Sequence, residues 1–307
     1  METKIIKGDL IREKIFAGVK AEIAELDKIH NRVPGIAFIG FDGIPLGKYN
    51  IPLHVQSAES LGFKVALRLL PETVPYEEVV ELIRQLNSDD AINAIVLLQP
   101  LPPHLNPIRL ISHIDPEKEV EGFHPKNMMS VLIPETGISR YPMCLPAALK
   151  EMFRESGINT HPQQEWVFLV DEGFLTNTLT HMIVRTAAAQ VVPLDNVLSF
   201  VNKDSNNLKE FCHRADYLVV VSKNTEFVQK EWLKPGVCII DIYSNLVKEV
   251  PSKNDPARLV PVIRGGVNLE SVLGHAGAIL PIPGGLMTVV MGILFRNAVI
   301  SFKWSLR

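Results

Sequence analysis

The sequence predicts an α/β protein of two domains, each an open and mainly parallel sheet flanked by helices. Two observations support this fold class. The 307 residues exceed the usual size of a single α/β domain. Segments with helical periodicity alternate with short β-branched runs, and this alternation is interrupted and starts again after Pro146. Strands that alternate with helices favour parallel sheets covered on both faces.

The first half predicts three helices and three strands. Gly62 follows the second helix as a C-cap, and Pro52 is tolerated in that helix only within a first turn. The third strand ends at Pro100–Pro103, a segment that cannot supply ladder donors. The predicted helices are Ile11–Ile29, Ile51–Leu61 and Tyr76–Asn87, and the strands are Ile36–Gly40, Lys64–Leu70 and Ala94–Leu98.

The second half repeats this pattern and ends in a long apolar helix that packs back on another element. Sheets of this kind bind ligands where loops leave the carboxyl ends of the strands, so functional residues are expected in those loops. The predicted helices are Ala147–Ser156, Thr176–Ala189 and Leu286–Trp304, and the strands are Glu165–Val170, Val197–Val201, Tyr217–Val221 and Val237–Ile242.

Composition argues against several classes of function. Hydrophobic residues make up 47% and charged residues 21%, which is typical of a folded globule. The formal charge of −3 and the pI near 6.3 give no broad electrostatic attraction to nucleic acid or to an anionic membrane. Because no uninterrupted apolar run of spanning length is present, no membrane insertion is expected. Met1–Leu10 is not typical of a secretory signal.

The three cysteines, Cys144, Cys212 and Cys238, are widely spaced. An odd and sparse set indicates a reducing compartment, which is the cytoplasm, or an organelle matrix if a leader has been removed. It also predicts buried, inert thiols. No motif with metal-ligand spacing is present, so no metal site is expected.

Five short segments follow one another along the chain: Lys4–Gly8, Val33–Gly40, Lys118–Pro125, Glu231–Gly236 and Pro281–Thr288. In this order they resemble I-I-D-G-K, P-G-L-A-x-x-x-V-G, K-D-V-D-G-F-H-P, W-I-K-P-G and P-V-P-G-G-V-G-P-M-T of the bifunctional methylenetetrahydrofolate dehydrogenase/cyclohydrolase family. The resemblance covers nearly the whole chain. Members of that family oxidise 5,10-methylenetetrahydrofolate with NAD(P) and hydrolyse the methenyl product to 10-formyltetrahydrofolate.

The resemblance implies a domain division and a folate cleft between the two domains. Residues 1–146, together with a returning C-terminal helix at 286–307, would form the folate-domain-like part. Residues 147–285 would form a degenerate NAD(P)-binding, Rossmann-like domain.

The family's Y-x-x-x-K pair, which stacks on the folate and transfers a proton, is replaced here. Its lysine position falls on His54 and its tyrosine position on Asn50, with Tyr49 beside it. Histidine can act as an acid or base near neutrality, but its ring is shorter than a lysine side chain. A second reading of His54 is an ordinary surface or partly buried helix residue.

In the family, the glutamine of V-Q-L-P-L-P adjusts the pKa of this lysine, and here that position holds another residue. Its position falls on Leu98, and Gln99 comes one residue later. A shift of one residue in a strand turns a side chain to the opposite face, so Gln99 is expected to miss the cleft unless a β-bulge restores its direction.

Two features of the folate site are retained as vestiges. Glu121 stands where an aspartate holds the pterin in the family, with one extra methylene. Alternatively, Glu121 is a solvated acid in a charged turn. Pro283 and Gly284 keep part of the P-G-G loop, which is two residues shorter here than in the family.

The nucleotide half departs further from the family. The G-R-S-x-x-V-G-x-P loop becomes Val170–Thr178, which loses both framing glycines and places Asp171 and Glu172 where arginine and serine would meet phosphate. Glycines let backbone amides approach phosphates, and two carboxylates repel them, so no cofactor is expected. The two acids can instead serve as ordinary first-turn acids of the helix. The degenerate loop comprises Val170, Asp171, Glu172, Gly173 and Thr176.

Three functions follow from these departures. The leading expectation is a pseudoenzyme that acts as a structural or interaction subunit, as a homodimer or within a larger protein assembly. The second is an active or weakly active methylenetetrahydrofolate dehydrogenase/cyclohydrolase of one-carbon metabolism, which would need NADP or NAD. The third is a folate-binding sensor without turnover, using residual folate contacts.

Overall fold

A computed structural model describes the backbone of residues 2–132, 141–171 and 178–307. The strands are β1 Lys4–Ile5, β2 Gly35–Phe41, β3 Lys64–Leu70, β4 Ala94–Leu97, β5 Glu165–Val170, β6 Val197–Asn202, β7 Tyr217–Val221, β8 Cys238–Asp241, β9 Asn245–Pro251, β10 Leu259–Arg264 and β11 Ala278–Leu280. The helices are α1 Asp9–His30, α2 Gly47–Leu61, α3 Tyr76–Ser88, α4 Pro107–Ile111, α5 Pro125–Leu132, α6 Cys144–Ser156, α7 Thr178–Val191, α8 Leu208–Arg214, α9 Leu269–Val272 and α10 Leu286–Ser305.

The chain divides into two compact units. One contains Met1–Ile11 and Ala148–Val289, and the other contains Arg12–Ala147 and Val290–Arg307. The N-terminal residues therefore lie with the second half of the chain, which differs from the division implied by the sequence. The reason is backbone pairing, because β1 runs parallel to β11 and Lys4 pairs with Ala278.

The unit built on Arg12–Ala147 contains a parallel sheet in the order β3-β2-β4. The central strand β2 is buried along its whole length, which explains its continuous apolar sequence. Phe38 pairs with Leu67 on one side and with Val96 on the other. The predicted strands in this half are confirmed to within one residue at each end.

The other unit contains a six-stranded parallel sheet in the order β1-β11-β8-β7-β5-β6. Strands β5 and β7 form its buried centre, and β6 lies at one edge. The sequence did not reveal β1, β11 or the antiparallel hairpin of β9 and β10. The first two strands are very short, and the hairpin is largely exposed, so none has a strong hydrophobic pattern.

Helix α2 begins earlier than its apolar pattern predicts. It starts at Gly47, so Pro52 lies inside the helix rather than in its first turn. Pro52 and Leu53 face solvent, where water can replace the lost backbone hydrogen bond. A Cβ on Gly40 would lie 2.7 Å from the Ile51 side chain, so glycine lets the helix pack closely on β2. Gly62 ends the helix at φ 101° in the left-handed region, as predicted.

Helix α10 is long and apolar enough, by length and composition alone, to cross a membrane. Two-thirds of its most apolar window (67%) is buried inside the fold, as in a core helix of a water-soluble protein. Phe295 packs against Phe16 and Phe63, and the Trp304 ring lies 4.9 Å from that of Tyr141. The helix completes the core of the unit that contains β2.

Candidate active site

The segment that contains Glu121 runs alongside β4 and is held by its backbone. The Ile95 N–H donates to the Lys118 carbonyl at 2.8 Å, and Ile95 forms a parallel bridge with Glu119. Gly122 then turns the chain at φ 82°, and a Cβ there would lie 2.8 Å from Met143 Cα. Glycine is therefore required at this bend on two grounds, positive φ and close packing.

The Glu121 side chain is partly exposed, while its carboxyl group lies in low-dielectric surroundings. Burial, followed by the negative charge of Glu119, raises the pKa of Glu121 to about 8. Its backbone carbonyl accepts a hydrogen bond from the Cys144 N–H at 3.1 Å. Glu121 is thus a partly exposed carboxyl group whose pKa is raised toward neutral pH.

Glu119 lies beneath this segment and is 2% exposed. Its carboxylate accepts hydrogen bonds from the backbone N–H of Glu121 at 3.1 Å and of His124 at 2.8 Å, and from Asn127 Nδ2 at 3.2 Å. Burial raises the pKa of Glu119, and these hydrogen bonds oppose that rise. All of these partners are donors, so the anionic carboxylate matches its surroundings.

Two further residues fix the same segment and were not singled out from the sequence. His124 Nδ1 accepts a hydrogen bond from the Lys126 N–H at 3.0 Å at the start of α5. Asn297 is fully buried on α10, and its Nδ2 donates to the carbonyls of Val120 at 2.9 Å and Pro142 at 3.0 Å. His124 lies within the motif K-E-V-E-G-F-H-P, whereas Asn297 had no signal beyond being a polar residue in an apolar helix.

His54 lies on α2, the helix that follows β2. Its Nδ1 is 2.7 Å from the Asn50 carbonyl oxygen, one turn earlier, and its ring packs edge-on against Phe38. A carbonyl only accepts, so Nδ1 holds the proton. Burial lowers the pKa of His54, so the neutral ring is favoured. Among the described residues none hydrogen-bonds Nε2, which leaves that lone pair available as a base.

Leu98 and Gln99 follow directly after β4 and differ in exposure. Leu98 is buried, and its N–H donates to the Ile39 carbonyl at 2.9 Å. Gln99 is exposed and precedes a cis peptide bond to Pro100. Leu98 cannot hydrogen-bond a base, so His54 lacks the amide partner that the family motif supplies.

Tyr49 and Asn50 lie in the first turn of α2 and are partly exposed. Lys48 Nζ lies 5.4 Å from the centre of the Tyr49 ring, which is the distance of a cation–π contact. Asn50 and His54 share one face of the helix because they are four residues apart. The structure therefore groups Tyr49, Asn50 and His54 near the carboxyl end of β2.

At the carboxyl ends of the strands of the six-stranded sheet, Val170 ends β5 and Asp171 follows it. Asp171 is 4% exposed, and its carboxylate accepts hydrogen bonds from the Ser222 hydroxyl at 2.9 Å and the Lys223 N–H at 2.6 Å. These neutral donors stabilise the buried carboxylate and hold it against the loop after β7. Of the other predicted loop residues, Glu172, Gly173 and Thr176 lie outside the described residues.

A second buried carboxylate lies at the same edge. Asp241 ends β8 and accepts hydrogen bonds from the N–H groups of Gly266 at 3.1 Å and Val267 at 3.0 Å. Burial raises its pKa to about 7. A Cβ on Gly265 would lie 1.9 Å from Asp241 Oδ2, so this glycine is needed for the carboxylate to reach the backbone.

Pro283 and Gly284 lie in the loop between β11 and α10. Gly284 has φ 91°, and its carbonyl accepts a hydrogen bond from the Gly8 N–H at 2.7 Å. The bond joins two segments that resemble family motifs. Pro283 is exposed and follows a cis peptide bond.

All three cysteines are buried and free, as predicted. Burial raises the pKa of both Cys212 and Cys238 to about 12, so neither forms a thiolate at neutral pH. Cys144 lies next to Glu121, and burial raises its pKa further. None of the three thiols is suited to act as a nucleophile.

Comparisons with known proteins identify relatives for both halves of the chain. The family description "tetrahydrofolate dehydrogenase/cyclohydrolase, catalytic domain" matches residues 6–121, and "NAD(P)-binding domain" of the same family matches residues 143–306. The bifunctional protein FolD of Desulfosudis oleivorans is 32% identical over 306 residues, covering 100% of this chain and 99% of its own. The FolD protein of Desulfatibacillum aliphaticivorans is 31% identical, with 99% of each chain covered.

A solved structure of high similarity is the methylenetetrahydrofolate dehydrogenase-cyclohydrolase of Trypanosoma brucei, complexed with NADP cofactor and inhibitor. It has a TM-score of 0.83 and 25% identity, and the match covers 100% of this chain and 99% of that one. The Campylobacter jejuni FolD structure, with a TM-score of 0.77 and 22% identity, has the same fold over 98% of this chain and 99% of its own. The predicted fold class and family resemblance are confirmed.

The expectation of a pseudoenzyme is wrong. Relatives that match the chain from end to end are bifunctional enzymes, and both the catalytic and the NAD(P)-binding domains are recognisable. The expectation of no cofactor is corrected as well, because residues 143–306 form an NAD(P)-binding domain by family. The electrostatic argument did not anticipate the surroundings of the Asp171 carboxylate, which is buried and accepts hydrogen bonds from the Ser222 hydroxyl and the Lys223 backbone N–H.

Proposed function

Because the chain belongs to the tetrahydrofolate dehydrogenase/cyclohydrolase family, we propose that it oxidises 5,10-methylenetetrahydrofolate with NADP and hydrolyses the methenyl product to 10-formyltetrahydrofolate. The observation that carries this proposal is the joint match of both family domains to one chain. The loop around Glu121 supports the proposal. Two buried polar residues, Glu119 and Asn297, bind its backbone, and a surface loop without function would not need both.

Glu121 would bind the pterin ring of the substrate. A pterin presents an amino group and a neighbouring ring N–H on one edge, and an ionised carboxylate accepts from both. The pKa of Glu121 near 8 means that the free enzyme holds a proton there at pH 7. Substrate donors favour the anion, so binding at neutral pH would release that proton.

His54 would transfer the proton in the hydrolytic step. Its Nε2 can accept a proton from an attacking water, while the Nδ1–H bond to Asn50 holds the ring and stabilises the charged form. The Leu98 side chain cannot form a hydrogen bond that would adjust the pKa of His54. Hydrolysis is therefore expected to be the slower of the two activities.

NADP would bind to the unit with the six-stranded sheet, beside the loops that follow β5, β7 and β8. When bound, it accepts the hydride of the oxidation. The described residues fit such a ligand, because the Asp171 carboxylate is directed to the Ser222 hydroxyl and the Lys223 backbone N–H, and the Asp241 carboxyl group is bonded to backbone amides. These contacts order the edge of the sheet without presenting free carboxylates to a phosphate.

Two chains would pair through the edge strand β6. Val197 and Leu198 are 53% and 39% exposed, and Leu194 before them is fully exposed. An apolar edge strand is a template for pairing with another chain. The homodimer expected from the sequence is therefore retained as a proposal.

The proposal is tested with purified protein and two assays. Formation of NADPH from 5,10-methylenetetrahydrofolate reports oxidation, and loss of the methenyl absorbance above the buffer rate reports hydrolysis. Saturable rates in both support the full proposal. Absence of NADPH formation at saturating NADP and substrate would reject it, and tight folate binding without turnover would identify a sensor instead.

A further inference from the structure

We propose that Glu119 is a positioning residue, whose buried carboxylate fixes the segment Val120–His124 and so holds the Glu121 side chain in place for the pterin. The proposal rests on the proposed function for the identity of the ligand. The claim that Glu119 fixes the backbone of this segment does not depend on the ligand and rests on the contacts within the segment.

The contacts of Glu119 are unusual for an acid in a loop. Both carboxylate oxygens are used, Oε1 by the Glu121 N–H at 3.1 Å and Oε2 by the His124 N–H at 2.8 Å. Asn127 Nδ2 also donates to Oε2 at 3.2 Å and to the Glu119 carbonyl at 3.1 Å. One side chain thus binds the backbone on both sides of the Gly122 bend.

Gly122 makes such a restraint necessary. Its φ of 82° is open to few other residues, and glycine gives the free chain more conformations than any other residue. Without a restraint, the backbone of Glu121 would sample several directions. Two groups restrict the backbone to one direction. The Glu119 carboxylate binds the N–H groups of Glu121 and His124, and Asn297 Nδ2 donates to the Val120 carbonyl.

The same arrangement places a like charge beside Glu121. Among the described residues, Glu119 acts on Glu121, and Glu121, Glu119 and Arg296 of α10 act on the Cys144 thiol, while His124 is bonded to Glu119 through its backbone N–H. Glu119 contributes to the raised pKa of Glu121 after burial. Glu119 therefore has two separable effects on Glu121, one on its position and one on its protonation.

The test combines Glu119→Gln with Glu121→Gln in a double-mutant cycle. The probe is 5-formyltetrahydrofolate, and its Kd is measured by calorimetry at pH 7 and pH 9. At pH 9 Glu121 is ionised in the parent, so the loss of the Glu119 charge no longer affects its protonation. Glu119→Gln then removes only the positioning of Glu121, and folate binding should weaken about tenfold. In the Glu121→Gln background the same change should have little further effect, because Glu119 acts through Glu121.

Hydrogen–deuterium exchange of the backbone N–H groups tests the positioning role without folate. In Glu119→Gln the N–H groups of Glu121 and His124 should exchange at least tenfold faster, while those of β5 stay unchanged. Asn127→Ala, which removes one donor to Glu119, should act in the same direction with a smaller effect if Glu119→Gln folds poorly. Glu59→Gln, an exposed acid on α2, serves as the matched control.

Additive losses of binding in the cycle, or unchanged exchange at both amides, would overturn the role of Glu119. Failure of the parent enzyme to form NADPH would instead reject the proposed function. In that case faster exchange together with a non-additive loss of folate binding would still support Glu119 as the residue that positions Glu121. A parent that binds no folate at all would overturn the inference.

Discussion

The Ser222 hydroxyl donates a hydrogen bond of 2.9 Å to the buried carboxylate of Asp171, across neighbouring strands of the six-stranded sheet. Asp171→Asn should therefore destabilise the protein, because an amide nitrogen would face the donors that the carboxylate now accepts from. The expected loss is about 1–3 kcal/mol of unfolding free energy. NADP affinity should fall with it, because the loop after β7 loses its anchor.

Chemical denaturation and calorimetric titration of NADP measure these two effects. Asp204→Asn, on an exposed acid paired with Lys203, is the matched control and should change neither. Tighter NADP binding by Asp171→Asn, with stability unchanged, would restore the view that Asp171 repels phosphate.

His54→Ala should reduce methenyl hydrolysis at least tenfold, because the Nε2 base is removed, and should leave NADP affinity unchanged. The pKa of His54 is lowered by burial, so the base form persists below the ordinary titration range of histidine. At saturating substrate, where the affinity set by Glu121 has no effect, the parent hydrolysis rate should therefore stay level as pH falls from 8 to the usual histidine pKa of about 6.5.

Stopped-flow absorbance of the methenyl compound measures this rate. His30→Ala, at the exposed end of α1, is the control. Equal rates for the parent and His54→Ala would show that another group transfers the proton.

Substrate affinity should depend on pH through Glu121. Its pKa lies near 8, and the anion is the form that accepts from two pterin donors, so the Kd should fall as pH rises. If only the anion binds, affinity gains about tenfold between pH 7 and pH 9. Glu121→Gln should bind more weakly and show no such dependence. A parent Kd that is constant over this range would contradict the assignment.

Sequence reasoning located most helices and strands because their apolar patterns are strong, as in the buried strand β2. The loop at Glu121 was also located, although its chemistry was not. A raised pKa depends on what surrounds a carboxyl group, and the contacts of Glu119 with Glu121 and His124 depend on backbone geometry around Gly122. Asp171 illustrates the same limit, since the sequence gives its charge but not the hydroxyl and backbone N–H that bind its carboxylate.

The proposed dimer predicts a mass near twice 34.2 kDa in light scattering. Val197→Lys should convert it to a monomer, because charge on an edge strand opposes pairing between chains. Val247→Lys, at a comparably exposed position on the hairpin strand β9, is the control and should leave the mass unchanged. A parent protein that is monomeric at high concentration would reject the dimer.

Asp241 should make stability depend on pH. Its pKa is raised from 3.8 to about 7 in the folded protein, so between these values the folded state holds a proton that the unfolded state has lost. Stability therefore falls as pH rises through this window, by an amount on the order of 4 kcal/mol at most. Asp241→Asn cannot titrate, so this position contributes no pH dependence to the stability of the variant.

The measurement is the free energy of unfolding in urea from pH 4.5 to pH 8 for the parent and Asp241→Asn. The stability of the parent relative to Asp241→Asn should fall as pH rises, because only the parent must lose a buried proton. Other buried acids, such as Glu119, affect both proteins equally and cancel in this difference. A difference that is constant with pH, or one that grows, would show that the backbone amides of Gly266 and Val267 stabilise the Asp241 anion enough to outweigh its burial.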